Sequence, residues 1–253
     1  TYICHPSMAN NELSGPVVAT ALAQWVAQQP RRYTYRFVFV PETIGSITYL
    51  SRNHEALRRN VVAGFNLTCM GDERAYSYLP SRKGDTLADK AALHVLRHFA
   101  PEFIRYTFLD RESDERQYCS PGIDLPLCSV MRSKYHVYPE YHTSLDDCTL
   151  VTQKGLEDSV NIMARILEAL EENVVYEPRV LCEPQLGKRG LYPTLSTKTS
   201  CTEQVNLMMD LLAYADGNTT LLEEADIVGR DIFRCAETMR KLVAKDVLAI
   251  KKC

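Results

Sequence analysis

Segments with strand-like and helix-like patterns alternate over the first two thirds of the chain, and this alternation limits its possible folds more than any other feature. Tyr33–Val40 is rich in aromatic and β-branched residues, and Val61–Met70 and Pro126–Met131 are apolar, which predicts strands. Apolar residues at helical spacing predict helices over Leu13–Gln29 and Gly155–Glu172. Strands that alternate with helices are typical of a layered α/β domain.

Shorter segments complete this α/β pattern. Their composition predicts strands at Thr1–Cys4, Ala75–Leu79 and Phe103–Leu109, a short helix after Pro41, and a longer helix over Lys83–Phe99. We expect the segment Ala75–Leu79 to pair with the strand that precedes it in the chain.

The last third of the chain has a different pattern. Val174–Ser200 contains prolines and lacks a helical period. The residues beyond it predict helices, a tight turn and a β-like tail: Glu203–Ala215, Leu221–Asp226, Ile227–Gly229, Asp231–Lys245 and Val247–Ile250. This order resembles a winged helix-turn-helix. We therefore predict an α/β domain over residues 1–175, a connecting segment over 176–198 and a winged helix over 199–253.

The charge balance argues against nucleic acid as a partner. The 253 residues include 29 basic and 32 acidic side chains, so that the net charge is −3. From Thr199 to Cys253 there are seven basic and nine acidic residues, although the third helix concentrates several basic ones. Phosphate binding requires a basic face. We expect a structural or protein-contacting role for the winged helix, such as homo-oligomer formation. A DNA-binding regulator that senses a ligand is the alternative.

Cysteine use and hydropathy predict a cytoplasmic protein that does not enter a membrane. Nine cysteines are scattered without a CxxC motif, and several lie within apolar segments, which is typical of reduced thiols. No apolar run reaches the ~18–20 residues that span a bilayer. The first residues also lack the layout of a signal peptide.

The first candidate site residues lie at the start of the chain. His5 leaves a predicted strand, and Asn11 follows six residues later, just before a helix. An imidazole and an amide oxygen in this arrangement can reach one metal ion. The alternative is structural: His5 hydrogen-bonds to its loop, and Asn11 caps the helix.

A single carboxylate follows the next predicted strand. Glu42 lies there among small and apolar residues. Loss of solvent in such a setting raises the pKa of a carboxylic acid towards that of a useful general base. Glu42 can equally serve the following helix, where its charge would complement the N-terminal dipole.

Two later loops carry further candidates. Asp114 and Glu115 lie in a charged loop between strands, which is either a solvated turn or part of a binding site. Tyr141 and His142 lie among hydroxyl and carboxylate side chains after another strand-like segment. His142 is therefore either a metal ligand supported by an aspartate or part of an exposed loop.

Taken in order, these motifs resemble those of the zinc-dependent aminopeptidase family that includes bacterial leucyl aminopeptidases and glutaminyl cyclases. The motifs are His, Asn-Asn-x-x-Ser-Gly, Glu-Thr-x-Gly, Ser-Asp-x-x-x-Tyr and Tyr-His-Thr-x-x-Asp, within about Thr1–Glu172. More narrowly, the whole chain resembles the aminopeptidase-like proteins with a C-terminal winged helix that are described alongside polysaccharide biosynthesis. The resemblance implies a three-layer α/β fold with a mixed sheet, and a segment before Thr1 that completes the sheet.

The resemblance also implies roles for single residues. His5 and His142 match the family's first and last metal histidines, and Asn11 matches an aspartate that bridges two zinc ions. Glu42 matches the general base, and Asp72 is a spare carboxylate for metal. Further residues match the substrate end of the site, where a carboxylate would hold a free amino group: Asp114, Glu115 and Tyr141.

The chain departs from the family at several metal positions. Asn11 offers one neutral oxygen in place of a shared carboxylate, Thr43 replaces a glutamate ligand, and Thr68 or Cys69 replaces an aspartate. We therefore predict one zinc ion, and a metal-dependent hydrolase of small peptides or amides with a free amine. The alternative is a catalytically reduced ligand-binding or regulatory protein that keeps the peptidase fold.

Overall fold

A computed structural model describes residues 1–5, 7–191 and 198–251, with backbone only at 198–202. It divides into two compact units, Thr1–Leu167 and Glu168–Cys253. Parts of the segments discussed above lie outside the described residues: Pro6 between His5 and Asn11, residues 192–197 of the predicted connecting segment, Lys252 and Cys253 at the end of the predicted winged helix, and the side chain of Cys201.

A mixed sheet forms the centre of the first unit. Its strands are β1 (Gly64–Asn66), β2 (Ser77–Leu79), β3 (Ile104–Arg105) and β4 (Leu127–Met131), in the spatial order β1-β4-β2-β3. β4 pairs parallel with β1 and antiparallel with β2, and β2 pairs parallel with β3. Every residue of β4 is buried, as expected of a central strand covered on both faces. The predicted mixed-sheet α/β class is confirmed.

Helices surround this sheet. They are α1 (Ser14–Ala27), α2 (Ile44–Asn60), α3 (Leu87–Phe99), α4 (Glu115–Tyr118) and α5 (Gln153–Glu172), and α5 ends in the second unit. A π-helical turn, Ala9–Leu13, directly precedes α1. α3 begins later than predicted because Thr86 and Asp89 form a capping box at its start.

Glycines allow two helices to approach the backbone of the segment that follows β1. A Cβ atom at Gly15 in α1 would lie 2.3 Å from the Leu67 carbonyl oxygen. A Cβ atom at Gly155 in α5 would lie 2.0 Å from the Gly71 carbonyl oxygen. Both helices are therefore closer to the backbone than any residue with a side chain permits.

Gly155→Ala is expected to destabilise the first unit by about 3 kcal/mol, because the methyl group would overlap a backbone oxygen that cannot rotate away. This cost exceeds the ~1 kcal/mol that alanine gains over glycine within a helix. Urea unfolding followed by Trp25 fluorescence measures the change. Glu157→Ala, at an exposed position of α5, serves as the control. An unchanged unfolding midpoint in Gly155→Ala would contradict the close approach.

Some predicted elements differ from the structure. The predicted strand Tyr33–Val40 is wrong: Val40 alone pairs, in one parallel bridge with Tyr2. The predicted pairing of Ala75–Leu79 with the preceding strand is also wrong, since β2 lies between β3 and β4. The helix after Pro41 has 17 residues and is not short. A high strand propensity means that the side chains of a segment fit a pleated sheet. It does not determine which strand the segment pairs with.

The second unit has the predicted winged-helix elements. They are β5 (Tyr176–Pro178), α6 (Lys198–Tyr214), α7 (Leu221–Val228), α8 (Ile232–Val243) and β6 (Leu248–Ile250). β5 and β6 pair antiparallel, so the segment predicted as a connection begins with a strand. α7 starts with a capping box between Thr220 and Glu223, and it ends at Gly229 with φ of 64°.

Basic side chains of α8 already have acidic partners. Their N–O distances are 2.8, 2.7 and 3.8 Å, for Arg240 with Glu172, Lys241 with Glu237 and Arg234 with Glu203. These pairs offset the positive charge that the sequence concentrates on this helix. Across the described residues, no helix has both the length and the apolar character needed to cross a membrane.

Candidate functional site

The two histidines that the sequence proposes as metal ligands lie side by side. The ring centroids of His5 and His142 are 4.5 Å apart, with 52° between the ring planes. His5 follows the bridge at Tyr2, and His142 lies in the loop after β4. Burial and the neighbouring imidazoles of His5 and His136 lower the pKa of His142. A lowered pKa favours the neutral imidazole, which is the form that binds metals.

Glu12 also belongs to this site, although the sequence reasoning did not select it. Its carboxylate is buried, with Oε1 3.3 Å from His5 Nδ1 and Oε2 accepting a hydrogen bond from the Cys4 N–H. The carboxylate therefore orients the His5 ring. The sequence feature that could have identified Glu12 is its position next to Asn11. Both residues lie in a segment that forms a buried π-helical turn.

Asn11 is buried in the same turn, and its side chain is only partly satisfied. Its Nδ2 lies 4.0 Å from Cys69 Sγ, whereas its Oδ1 accepts no hydrogen bond from any residue that the structure describes. Asp146 holds the turn in place by accepting hydrogen bonds from the Asn10 and Asn11 N–H groups at 2.6 and 3.1 Å. A buried oxygen without a donor is costly, and it is a free ligand atom.

Glu42, the candidate general base, lies in surroundings that raise its pKa. Its side chain is half-buried, and burial, together with the charges of Asp114 and Glu12, raises its pKa to about 7. Arg116 and His5 oppose this shift in pKa. A carboxyl group with this pKa exchanges a proton readily near neutral pH.

The two threonines and the cysteine that replace carboxylates of the resembled family lie among other groups of the fold. Thr43 has φ of 57°, and its Oγ1 accepts a hydrogen bond from Arg116 Nη2 at 3.0 Å. Thr68 Oγ1 donates to the Asn11 carbonyl oxygen at 2.8 Å. Burial raises the pKa of the Cys69 thiol to about 12, which favours its protonated form.

The two acidic residues that match the substrate end are used by the fold itself. Asp114 Oδ1 accepts hydrogen bonds from the Thr43 N–H and the Ser46 hydroxyl, at 2.7 and 3.0 Å. Glu115 is fully buried and accepts five hydrogen bonds, whose donors are Glu112 N–H, Ser113 N–H, Tyr135 O–H, Asn66 Nδ2 and Ser129 O–H. These contacts give both carboxylates a structural role. Their binding of a substrate amine stays a prediction.

Asp72 is likewise part of the framework. Its two oxygens accept hydrogen bonds from Ser133 N–H and O–H, Asn10 Nδ2 and Arg74 N–H. These bonds connect the end of the β1 segment to the end of β4 and to the π-helical turn. Asp72 therefore supports the turn that carries Asn11, and its oxygens are already occupied.

Tyr141 packs flat on His142. The ring centroids are 3.9 Å apart, with 14° between the planes. The edge of Tyr138 meets Tyr141 at 5.6 Å, and the Tyr138 hydroxyl donates to Asp146 at 2.8 Å. Asp146 thus connects the His142 loop to the turn that carries Asn11.

The residues at the family's metal positions offer few ligand atoms among the described residues. The two imidazoles and the free Asn11 oxygen are the available ligands, and the carboxylates that would bridge a second ion are replaced. No group of three or more histidine, cysteine, aspartate or glutamate side chains in the described part of the chain is placed to hold a metal ion.

Known proteins resemble the chain along its whole length. Residues 1–173 match the family described as Domain of unknown function (DUF4910), and residues 174–250 match a winged helix-turn-helix. A Clostridium acetobutylicum protein, described as a candidate polysaccharide biosynthesis protein with an aminopeptidase-like domain, is 40% identical over 237 residues. The match covers 92% of this chain and 54% of that protein.

Solved structures show the same fold. A crystal structure of a candidate peptidase from Clostridium acetobutylicum has a TM-score of 0.90 at 37% identity, covering 99% of this chain and 56% of that one. A zinc aminopeptidase from Bacillus subtilis has a TM-score of 0.57 at 18% identity, covering 67% of this chain and 45% of that one. The chain thus spans little more than half the length of its Clostridium relatives.

These matches confirm the resemblance to aminopeptidase-like proteins with a C-terminal winged helix. The mixed sheet, the paired histidines and the match over residues 1–173 lie in the same part of the chain. The chain therefore belongs to the family described as Domain of unknown function (DUF4910), here joined to a winged helix-turn-helix.

Proposed function

We propose that the chain carries a metal-dependent site that hydrolyses a peptide or amide bond next to a free amine. The observation that carries this proposal is the pairing of His5 with His142, 4.5 Å between ring centroids, in a site whose electrostatics include the half-buried Glu42. The Bacillus neighbour is named as a zinc aminopeptidase. At its level of identity, that likeness supports the fold alone.

His5, His142 and Asn11 would hold a single zinc ion, and Glu12 would keep the His5 ring in position. A bound zinc ion supplies Lewis-acid chemistry, which polarises a carbonyl group and makes a water molecule more acidic. Glu42 accepts a proton from the attacking water and returns it to the leaving amine. The name of the Clostridium relative places that protein in polysaccharide biosynthesis, and we extend this context to the chain as part of the proposal.

Zinc titration of the full 253-residue chain by calorimetry tests the site. We expect one ion per chain, and a loss of binding of at least tenfold in His142→Ala and in His5→Ala, because each removes one of few ligands. His54→Ala removes an imidazole that contacts the Gly122 carbonyl oxygen instead, so it should bind as the parent does. The proposal fails if the parent binds no zinc, manganese or cobalt, and if His142→Ala hydrolyses aminoacyl amides at the parent's rate.

Asn11→Asp is expected to increase zinc affinity at least tenfold. The substitution exchanges a neutral ligand oxygen for a negatively charged one of nearly the same shape, and ligand charge strengthens metal binding. Without metal, the buried carboxylate should lower the melting temperature, and zinc should restore it. Asn60→Asp, at an exposed position near the end of α2, is the control. Equal zinc affinities for Asn11→Asp and the parent would show that Asn11 is no ligand.

A catalytically reduced ligand-binding protein is the second candidate. Two observations favour it. The chain has Asn11, Thr43 and Thr68 where the resembled family has carboxylates. Asp114 and Glu115 also accept hydrogen bonds from groups of the fold. In that case dipeptides and amides would raise the melting temperature of the chain without being hydrolysed, and Glu42→Gln would not change their binding.

We infer that the winged helix contacts protein, such as a second copy of the chain, and does not read DNA. The acidic partners of Arg234, Arg240 and Lys241 in α8 support this inference. A salt-dependent affinity for duplex DNA would contradict it.

A further inference from the structure

We propose that His136 is a positioning residue for His142 and acts through the ring of Tyr141. His136 is not among the residues that the sequence motifs or the resemblance select. Its ring centroid lies 4.4 Å from that of Tyr141, and Tyr141 is stacked on His142 at 3.9 Å. The direct distance from His136 to His142 is 6.2 Å. Tyr141 thus contacts both imidazoles, and through it the position of His136 constrains that of His142.

A carboxylate holds His136 in this place. His136 Nε2 lies 2.6 Å from Glu112 Oε2. His5, the other imidazole near His142, also has a carboxylate partner, since its Nδ1 lies 3.3 Å from Glu12 Oε1. His142 therefore has two neighbouring imidazoles that are each paired with a carboxylate.

Glu112 is in turn anchored to the buried part of the fold. Its N–H lies within hydrogen-bonding distance of Glu115 Oε1 and of the Tyr135 hydroxyl oxygen, at 3.0 and 3.1 Å. Tyr135 also meets the His136 ring edge-on at 5.9 Å. Glu115, which the resemblance assigns to substrate, therefore acts as the fixed point from which Glu112 holds His136.

The backbone at both imidazoles is consistent with such a constraint. His136 and His142 have φ of 63° and 56°, in the left-handed region that residues other than glycine adopt infrequently. Residues remain in this region only where their surroundings determine the conformation strongly. The pair formed by His136 and Glu112 is about half exposed on both sides, so it contributes little to folding. Its removal should leave the fold intact and release Tyr141.

Two measurements on the full chain test the proposal, which rests on the proposed metal site only in the second. The first is the NMR chemical shift of the His142 ring protons in the absence of metal, because stacking on Tyr141 moves these signals upfield. We expect His136→Ala to move them downfield, and His136→Phe, which keeps a ring against Tyr141, to restore most of the shift. Val137→Ala changes the exposed neighbouring side chain and should leave them unchanged.

The second measurement is zinc affinity by calorimetry. Loss of a residue that orients a metal ligand typically weakens metal binding 10–100-fold, and we expect at least a tenfold loss in His136→Ala with recovery in His136→Phe. Glu112→Gln removes the charge without altering either ring, and it should move the His142 signals in the same direction as His136→Ala. His142 signals that stay in place in both His136→Ala and Glu112→Gln would overturn the positioning role. A parent chain that binds no metal would refute the proposed function, while the ring-proton shifts would still decide the role of His136.

Discussion

Replacing Glu42 with glutamine is expected to slow hydrolysis about 100- to 10,000-fold, the usual contribution of a positioned general base. Glutamine keeps the size of the side chain but cannot accept the proton of the attacking water. Initial rates with aminoacyl amides, measured with zinc present, give the comparison. Glu55→Gln alters an exposed carboxylate of α2 and should retain the parent's rate.

The pH profile of the parent adds a second test of Glu42. A base acts in its deprotonated form, and the pKa of Glu42 is raised to about 7. The rate should therefore rise about tenfold per pH unit below pH 7 and level off above it. This inflection should disappear in Glu42→Gln. A parent rate that is constant from pH 5 to 8 would contradict the assignment of Glu42 as the base.

The second unit is expected to lose stability as the pH rises, because of one buried acid in α7. Neither carboxyl oxygen of Glu224 has a hydrogen-bond partner among the described residues, and the side chain is fully buried. Burial, with a smaller contribution from the charge of Asp216, raises its pKa to about 8. Burial raises the pKa of Tyr176 and of Cys235, and the charge of Glu224 adds a smaller upward contribution to each, which places these groups near it.

The direction of this change in stability follows from the number of protons that Glu224 binds in the folded and in the unfolded state. Between about pH 4.5, the ordinary pKa of the group, and about pH 8, folded Glu224 keeps its proton while the unfolded chain has lost it. The contribution of Glu224 to the free energy of unfolding should therefore be highest below pH 4.5, fall by up to about 1.4 kcal/mol per pH unit, and become constant above pH 8.

Hydrogen exchange of α8 amides, corrected for the pH dependence of exchange itself, measures this loss. Glu224→Gln has no charge to bury, so its α8 protection should vary much less between pH 5 and 8. Glu237→Gln, on the exposed side of α8, should retain the full dependence on pH. If α8 protection varied equally with pH in Glu224→Gln and in the parent, Glu224 would not be the group responsible.

The helices were more predictable than the strands. α5 was predicted within two residues of its start, since a long amphipathic period is a local property of the chain. Tyr33–Val40 has strong β-propensity, yet its backbone meets another strand only through the Val40 bridge. A strand requires a partner from elsewhere in the chain, and local composition contains no information about that partner.

The candidate site shows the same division. The order of motifs, through the family that it resembles, indicated His5, His142 and Glu42 as candidates, and the structure brings His5 and His142 side by side. The order of motifs also suggested a role at the substrate for Glu115. Contacts with Asn66 and Ser129, from strands distant in sequence, give Glu115 a structural role that residue order does not indicate.

By itself, the sequence determined the α/β class, the winged helix and the identity of the atoms available for chemistry. Side-chain type and local periodicity follow directly from the order of residues. Only the tertiary structure decided which atoms meet: it stacks Tyr141 on His142, pairs His5 with Glu12, and leaves Asn11 Oδ1 without a donor among the described residues. The reason is physical, since burial and hydrogen-bond satisfaction depend on neighbours brought together by folding.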